Sequence, residues 1–282
     1  MCARKAQNPR THPAAERGAD RWTPAPYAPD ELLRALVDEG MAGEVSHDRQ
    51  NVLGKCQRLV EGDVDVTFGL SGMTRYTRDE VVALVDRATR FDAGAGLFEG
   101  PTIIDPVPVL EMLEAMGDRL ALACERGESM VFATGHPVGL LQLYMALARE
   151  VAARGVKLLR PGEGEVWREW GHRRTVRYLG GVAVLTDRAS SFHTHSPEAM
   201  RRMLADARPD LVVGDHGYAG AAIEAGVETL AVTDVNDPAV LVAQSEGRVA
   251  VVVTMDDNVL PEKYWPCFQA VAARLSPEGS WG

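Results

Sequence analysis

Five short apolar runs in the second half of the chain each end in polar residues, and this pattern constrains the fold more than any other feature. The runs lie at residues 130–133, 182–185, 211–213, 229–232 and 249–253. They lead into Thr134-Gly135-His136, Thr186-Asp187, Gly214-Asp215-His216, Thr233-Asp234-Val235-Asn236-Asp237 and Thr254-Met255-Asp256-Asp257-Asn258. Continuous apolar runs are typical of buried parallel strands, whose carboxyl ends meet at one edge of a sheet. The sequence therefore predicts that Asp, His and Asn side chains converge there.

Helical patterns lie between these runs. They cover residues 140–154, 197–207, 219–225, 239–246 and 262–275. Such alternation predicts a three-layer, doubly wound α/β fold with a mainly parallel sheet.

Residues 165–185 depart from this alternation. Gly171 and the pair Gly180-Gly181 indicate turns of an inserted hairpin, which would shape a lid or the surface of a homodimer. Its aromatic residues Trp167, Trp170 and Tyr178 either pack in the core or form that interface.

The first 108 residues give weaker signals. Residues 1–28 are rich in Pro, Arg and Ala without periodicity, which predicts a disordered or arm-like extension. Residues 29–108 are predicted to be the helical N-terminal part of a single α/β domain that spans residues 29–282. Thr77 and Glu80 have the spacing of a capping box, and residues 91–108 are predicted to form a long loop.

Composition limits the partners. The chain has 40 acidic and 30 basic residues, a net charge of −10, and this argues against binding nucleic acid or anionic lipid. No stretch approaches the roughly 20 apolar residues of a membrane span, no secretory signal is evident, and the four cysteines are scattered. We therefore expect a cytoplasmic protein with a small-molecule substrate.

Two histidine-bearing turns are candidate binding elements. Thr134-Gly135-His136, with Gly139 further on, would cradle a phosphate at a helix N-terminus; alternatively, it is a tight turn that needs Gly and Pro for its backbone. His136 would be a phosphate donor or a general acid. His193 and His195, two residues apart in an extended loop, would face one cation or one phosphate, unless both are exposed beside a Ser196 cap.

The acidic turns are candidate metal ligands. In Asp215-His216 one residue would bind metal and the other donate a proton, although Asp215 is also placed to cap a helix. Asp234, Asn236 and Asp257 are further ligand candidates, whereas Asp237, before Pro238, is interpreted as a helix cap. Ligands rich in oxygen with few nitrogens favour Mg²⁺ or Mn²⁺ over zinc.

Charge links the two kinds of turn. A carboxylate would repel a phosphate by roughly 4 kcal/mol at 4 Å in an effective dielectric of 20. Carboxylates and phosphate are therefore compatible only if one or two divalent ions lie between them.

Several of these motifs together resemble a family of actinobacterial phosphatases, over about residues 90–265. The residues that carry the resemblance are Phe-Ala-Thr-Gly-His-Pro-Val-Gly-Leu-Leu at 132–141, His-Thr-His-Ser-Pro-Glu at 193–198, Gly-Asp-His-Gly-Tyr-Ala-Gly-Ala-Ala at 214–222, Asp-Val-Asn-Asp-Pro-Ala at 234–239, Asp-Asp-Asn-Val at 256–259 and Asp105-Pro106. The resemblance implies phosphomonoester hydrolysis of a small metabolite, such as a nucleoside or sugar phosphate of secondary metabolism.

The resulting hypothesis is a metal-assisted phosphomonoesterase. Its catalytic residues would be His216, Asp215 and His136. Its phosphate-binding residues would be Thr134, Gly135, His136, Gly139, His193, His195 and Asp105. Its ligands for Mg²⁺ or Mn²⁺ would be Asp215, Asp234, Asn236, Asp257 and His195. The alternatives are a phosphosugar isomerase or lyase, and a non-catalytic nucleotide or sugar-phosphate binding protein.

Overall fold

The computed structural model describes residues 20–90 and 99–275. The predicted extension therefore lies outside the described residues up to position 19, as does the part of the predicted loop at 91–98. Residues 21–25 lie against the last helix among the described residues, where the Gln269 side-chain amide donates to the carbonyls of Arg21 and Thr23. The Trp22 and Phe268 rings are 5.4 Å apart.

The N-terminal part consists of helices and a small antiparallel sheet of two strands. Its elements are α1 (Pro29–Asp38), β1 (Gly43–Asp48), α2 (Arg49–Val60), α3 (Val64–Thr67), α4 (Arg78–Thr89) and β2 (Pro101–Ile104). The capping box of Thr77 and Glu80 is confirmed at the start of α4. The prediction of a loop throughout 91–108 is wrong at its end, because Pro101–Ile104 pairs with β1 and the next helix begins at Pro106.

The remaining elements alternate as predicted. They are α5 (Pro106–Arg126), β3 (Ser129–Thr134), α6 (Leu141–Ala153), β4 (Lys157–Leu158), β5 (Val166–Glu169), β6 (His172–Leu179), β7 (Val182–Asp187), β8 (Ser190–Ser191), α7 (Glu198–Asp206), β9 (Leu211–Asp215), α8 (His216–Glu224), β10 (Glu228–Thr233), α9 (Ala239–Ser245), β11 (Val251–Thr254) and α10 (Trp265–Arg274). All five predicted apolar strands are present.

The main sheet has the order β11-β10-β9-β3-β7-β6-β5, with β4 paired to β3 and β8 paired to β7. Its strands from β11 to β7 are parallel, and the hairpin β5–β6 extends it antiparallel. Trp167 and Tyr178 of the hairpin are buried, whereas Trp170 at its tip is exposed. The predicted α/β fold class is confirmed.

Both faces of this sheet are covered. Along β3, Met130 and Phe132 belong to one hydrophobic core, while Val131 and Ala133 belong to a second core on the other face. Alternate side chains of a strand point to opposite faces, so β3 needs apolar residues at every position. No helix among the described residues has the length and apolarity that a membrane crossing requires.

The strand register places the polar turns at one level. Ala133 of β3 lies beside Gly214 of β9, Asp215 lies beside Val232 of β10, and Thr233 lies beside Thr254 of β11. Residues that follow these positions therefore leave the sheet along one edge.

Candidate active site

Carboxylates from three neighbouring strands meet at this edge. Asp215 ends β9, Asp234 follows β10, and Asp257 follows β11; each is at most 2% exposed. Asn236 is also nearly buried there, and its side-chain amide donates to Oδ1 of Asn51. The structure thus brings together the acidic residues that the sequence singled out at these strand ends.

Asp215 is bound by the turn after β3 and does not cap a helix. Its Oδ1 accepts from the Gly135 amide (2.8 Å), and its Oδ2 accepts from the Thr134 hydroxyl (3.0 Å) and lies 3.4 Å from His136 Nδ1. Its side chain makes no capping bond to α8. The interpretation of Thr134-Gly135-His136 as a helix N-terminus is wrong, because α6 begins only at Leu141. Phosphate binding by Thr134 and Gly135 stays a prediction.

Four imidazoles pack against one another beside these carboxylates. Ring centroids are 4.2 Å apart for His136 and His193, 4.3 Å for His136 and His216, and 4.6 Å for His195 and His216. Gly135 and Gly217 permit this packing, since a Cβ at either position would collide with backbone of residues 194–196. The loop that carries His193 and His195 therefore lies directly on the sheet edge.

His216 is the centre of the cluster. It has a left-handed backbone (φ +44°) and is buried, and its Nε2 lies 3.2 Å from Asp237 Oδ2 and 3.7 Å from Asp257 Oδ2. Burial works to lower the pKa of His216, but the hydrogen bond and charge of Asp237 outweigh it and raise that pKa. His216 also holds the pKa of Asp237 well below its usual range against the effect of burial.

Asp237 therefore belongs to the site, and its interpretation as a helix cap is wrong. Helix α9 is preceded by Pro238, and no side chain caps it. The carboxylate of Asp237 instead binds His216 and lies 3.6 Å from the ammonium of Lys55. The run Asp-Val-Asn-Asp indicated a role for these residues in a site, because a helix cap needs only one of its three polar residues.

His193 and His195 have depressed basicity. Partial desolvation and the neighbouring imidazoles lower the pKa of His193 to about 3 and that of His195 to about 4. Nδ1 of His195 lies 2.7 Å from the Asp65 carbonyl oxygen, which favours a proton on Nδ1 and leaves Nε2 as the free nitrogen. Neutral imidazoles of this kind are suited to bind a metal ion.

Residues 46–55 of the N-terminal part complete the site, and the sequence analysis missed them. His47 Nε2 lies 3.0 Å from Asp234 Oδ2, and the Ser46 amide donates to Asp256 Oδ2 (2.8 Å). The bond to Asp234 raises the pKa of His47. Together with Lys55, these residues bring positive charge and donors to the acidic edge.

The cluster can hold a divalent metal ion. Two groups, His136–His193–His216 and His195–His216–Asp237, each offer ligand atoms within 4.8 Å of one another. Three buried atoms there have no hydrogen-bond partner: Nδ1 of His216, Oδ1 of Asp237 and Oδ2 of Asp257. Burial, followed by the charges of Asp234, Asp237 and Asp215, raises the pKa of Asp257 well above its usual value. A bound cation would satisfy these atoms and offset that charge.

Two other predicted residues lie in different settings. Gly139 belongs to the turn before α6, where a Cβ would lie 3.2 Å from the Asp257 carbonyl oxygen. Asp105 caps α5 through the Val107 amide (2.9 Å) and pairs with Arg90 (2.6 Å). The carboxylate of Asp105 is therefore engaged by α5 and Arg90, and a phosphate-binding role for it stays a prediction.

A protein family and one of the curated relatives are similar to this chain over most of its length. The sequence model of a family described as Phosphatase matches residues 27–277. The protein Phosphatase SCO2771 of Streptomyces coelicolor is 36% identical over 252 residues, which cover 86% of this chain and 94% of that protein. The family match includes all residues of the cluster, from His47 to Asp257.

Proposed function

Because the chain belongs to the Phosphatase family, we propose that it hydrolyses the phosphomonoester of a small metabolite with the help of a divalent metal ion. The observation that carries this proposal is the convergence of four packed imidazoles and several buried carboxylates, three of whose polar atoms lack partners. Such a set would repel a phosphate dianion by roughly 4 kcal/mol per close carboxylate unless a cation is present.

The metal ion would be held by His195, His216 and Asp237. His216 belongs to both groups of possible ligands, so we assign it to the ion and not to proton transfer. Asp215, Asp234, Asn236 and Asp257 lie around this group as counter-charges or additional ligands. Of Mg²⁺ and Mn²⁺, the two imidazoles favour Mn²⁺. When bound, the ion would neutralise the carboxylates and polarise the phosphoryl group.

His136 is the candidate for proton transfer to the leaving group. Its side chain is 12% exposed, and Asp215, itself fixed by Thr134 and Gly135, orients its Nδ1. Water attacks phosphorus, the bond from phosphorus to the ester oxygen breaks, and His136 donates its proton to the departing alkoxide. The exposed His193, 4.2 Å from His136 ring to ring, would contact the phosphate.

A phosphate-release screen tests this proposal. The purified protein would be treated exhaustively with a chelator and assayed with sugar phosphates, nucleoside monophosphates and simple alkyl or aryl phosphates. We expect free phosphate only after Mn²⁺ or Mg²⁺ is restored. Full activity in the metal-free protein would refute the role of the ion. Conversion of a sugar phosphate without phosphate release would indicate an isomerase, and tight binding without turnover would indicate a sensor.

The variant His136→Gln separates proton transfer from binding. We expect kcat to fall by about 100-fold or more on alkyl phosphates, whose leaving groups need a proton, and much less on 4-nitrophenyl phosphate, whose leaving group does not. A comparable loss on both substrates would refute the role of His136 as an acid. The exposed His172 of the hairpin provides a matched control, His172→Gln.

A further inference from the structure

A hollow opens beside the candidate active site. Its volume is about 330 Å³, and His136 and His193 form part of its wall. One side consists of Pro137, Val138 and Gly139, and the other of Val259, Leu260 and Pro261. The hollow is therefore continuous with the imidazole that we assign to the leaving group.

The two sides of the hollow are held in place. Gly139 lies against the opposite side, since a Cβ there would be 3.2 Å from the Asp257 carbonyl oxygen and 3.4 Å from that of Val259. The Asn258 amide donates to Asp256 Oδ1 (2.9 Å), and the Val259 amide donates to the Tyr264 hydroxyl oxygen (3.3 Å). The hollow is therefore formed by segments that are fixed at this edge of the main sheet.

The chemistry of these sides is apolar and uncharged. Val138 is 70% exposed and Leu260 is 58% exposed, which is unusual for side chains of this size beside an acidic cluster. Among the described residues that line the hollow, none is Lys, Arg, Phe, Tyr or Trp. It offers no Lys or Arg for a second phosphate and no Phe, Tyr or Trp ring on which a nucleobase would stack. Apart from the two imidazoles, its polar side chains are Ser191 and Asn258, which is few for the hydroxyls of a sugar.

We propose that this hollow receives the organic half of the substrate, and that this half is an uncharged, largely apolar alcohol. The inference rests on the proposed phosphatase function and narrows its substrate class. It favours alkyl-like or aryl-like phosphomonoesters over the nucleoside and sugar phosphates that the sequence suggested. Val138 and Leu260 would determine this specificity without taking part in the reaction.

The Ki values of alkylphosphonates of increasing length show how long an alkyl chain the hollow accepts, and these inhibitors are not turned over. Because each buried methylene contributes about 0.8 kcal/mol, Ki should fall about fourfold per carbon until the space is filled. The variants Val138→Ser and Leu260→Ser should flatten this dependence. Val166→Ser, at an exposed position of β5, is the matched control and should retain it.

The substrate comparison uses hexyl phosphate, glucose 6-phosphate and a nucleoside 5′-monophosphate with the metal-loaded protein. For the wild type, we expect kcat/KM to be highest for hexyl phosphate, by about tenfold or more. Each serine variant should lower kcat/KM for hexyl phosphate about tenfold and change kcat/KM for glucose 6-phosphate less than about twofold. Faster hydrolysis of the sugar or nucleoside ester, or serine variants that behave like Val166→Ser, would overturn the apolar site and leave the phosphatase function standing. Absence of phosphate release from every ester would overturn both.

Discussion

Lys55 brings a positive charge into a cluster that is rich in carboxylates. Its ammonium lies 3.6 Å from Asp237 Oδ1, and its side chain is only 17% exposed. Asp237 Oδ1 has no hydrogen-bond partner, so the Lys55 ammonium is not held by a hydrogen bond there. We expect it to contact an arriving anion as well as Asp237. A single residue of α2 therefore links the N-terminal part to the proposed phosphate site.

Replacing Lys55 should weaken phosphate binding specifically. For Lys55→Met we expect the Kd of inorganic phosphate, measured by calorimetry with Mn²⁺ present, to rise about tenfold, because a charge-assisted contact is lost. The affinity for Mn²⁺ should be unchanged or higher, since a competing cation is removed. Lys157→Met, at an exposed position of β4, should alter neither value. Equal phosphate affinity in Lys55→Met and the wild type would contradict this role.

At the residue scale, the sequence predicted side chains that follow strands and missed those that do not. Asp215, Asp234 and Asp257 were predictable because a strand end fixes where the next residue lies. His47 and Lys55 were not, because their partners Asp234 and Asp237 lie more than 180 positions further along the chain. A lone Lys on an amphipathic helix gives no local sign that its side chain turns inward.

At the scale of elements, two glutamates of the α/β part bind the N-terminal part through hydrogen bonds and ion pairs. Glu246, just after α9, accepts from the Tyr76 hydroxyl (2.7 Å) and pairs with Arg75 and Arg248. Glu224 of α8 accepts from the Ser71 amide and hydroxyl. The short segment before α4 is thus bound at two points to helices that pack on the main sheet.

The contribution of Glu246 should depend on pH. Burial works to raise its pKa, but the bonds to Arg75, Tyr76 and Arg248 outweigh it and lower that pKa. A lowered folded-state pKa stabilises the protein above the ordinary value of 4.5, and this contribution is lost as the pH falls through the folded-state pKa. Glu246→Gln should therefore lower the free energy of unfolding by about 1–2 kcal/mol at neutral pH.

Urea unfolding across a pH series measures this effect. The difference between Glu246→Gln and the wild type should be largest at neutral pH and should shrink once the pH falls below 4.5. Glu111→Gln, on the exposed side of α5, should differ little from the wild type at any pH. A difference that stayed constant with pH would show that the charge of Glu246 is not involved.

The elements themselves were predictable to different degrees. Strands β3, β7, β9, β10 and β11 are continuous apolar runs, since both faces of their sheet are covered. Strand β1 was missed because only Val45 of its six residues is buried, and β2 because it has only four residues, of which two are buried, so their patterns resemble those of a loop. The candidate site depends on β1 for His47, so a strand with a weak sequence signal carries one of its residues.

For the molecule as a whole, the buried carboxylates at the sheet edge should lower the stability of the metal-free protein, although the proposed function needs them. Asp257 is buried, its Oδ2 has no partner, and the nearby carboxylates raise its pKa well above the usual range. Without metal, Asp257→Asn should therefore leave the Tm within about 2 °C of the wild-type value, because a neutral amide replaces a group that is costly to charge there.

Metal ions should reverse this comparison. At about 100-fold excess of Mn²⁺ over its Kd, the wild type should gain about 5–10 °C in Tm, since an ion that binds only the folded state stabilises it. Asp257→Asn should lose most of that gain, together with activity. Asp210→Asn, which removes an acceptor for the Ser129 amide and hydroxyl, should show the opposite pattern: a lower Tm without metal and a full gain with it. An undiminished gain in Asp257→Asn would place the ion elsewhere.

The position of β11 late in the sequence affects when the site can form during translation. The cluster includes His47, which is synthesised early, and Asp257, which is synthesised late because it follows β11. The cluster is therefore complete only after residues up to Asp257 have left the ribosome.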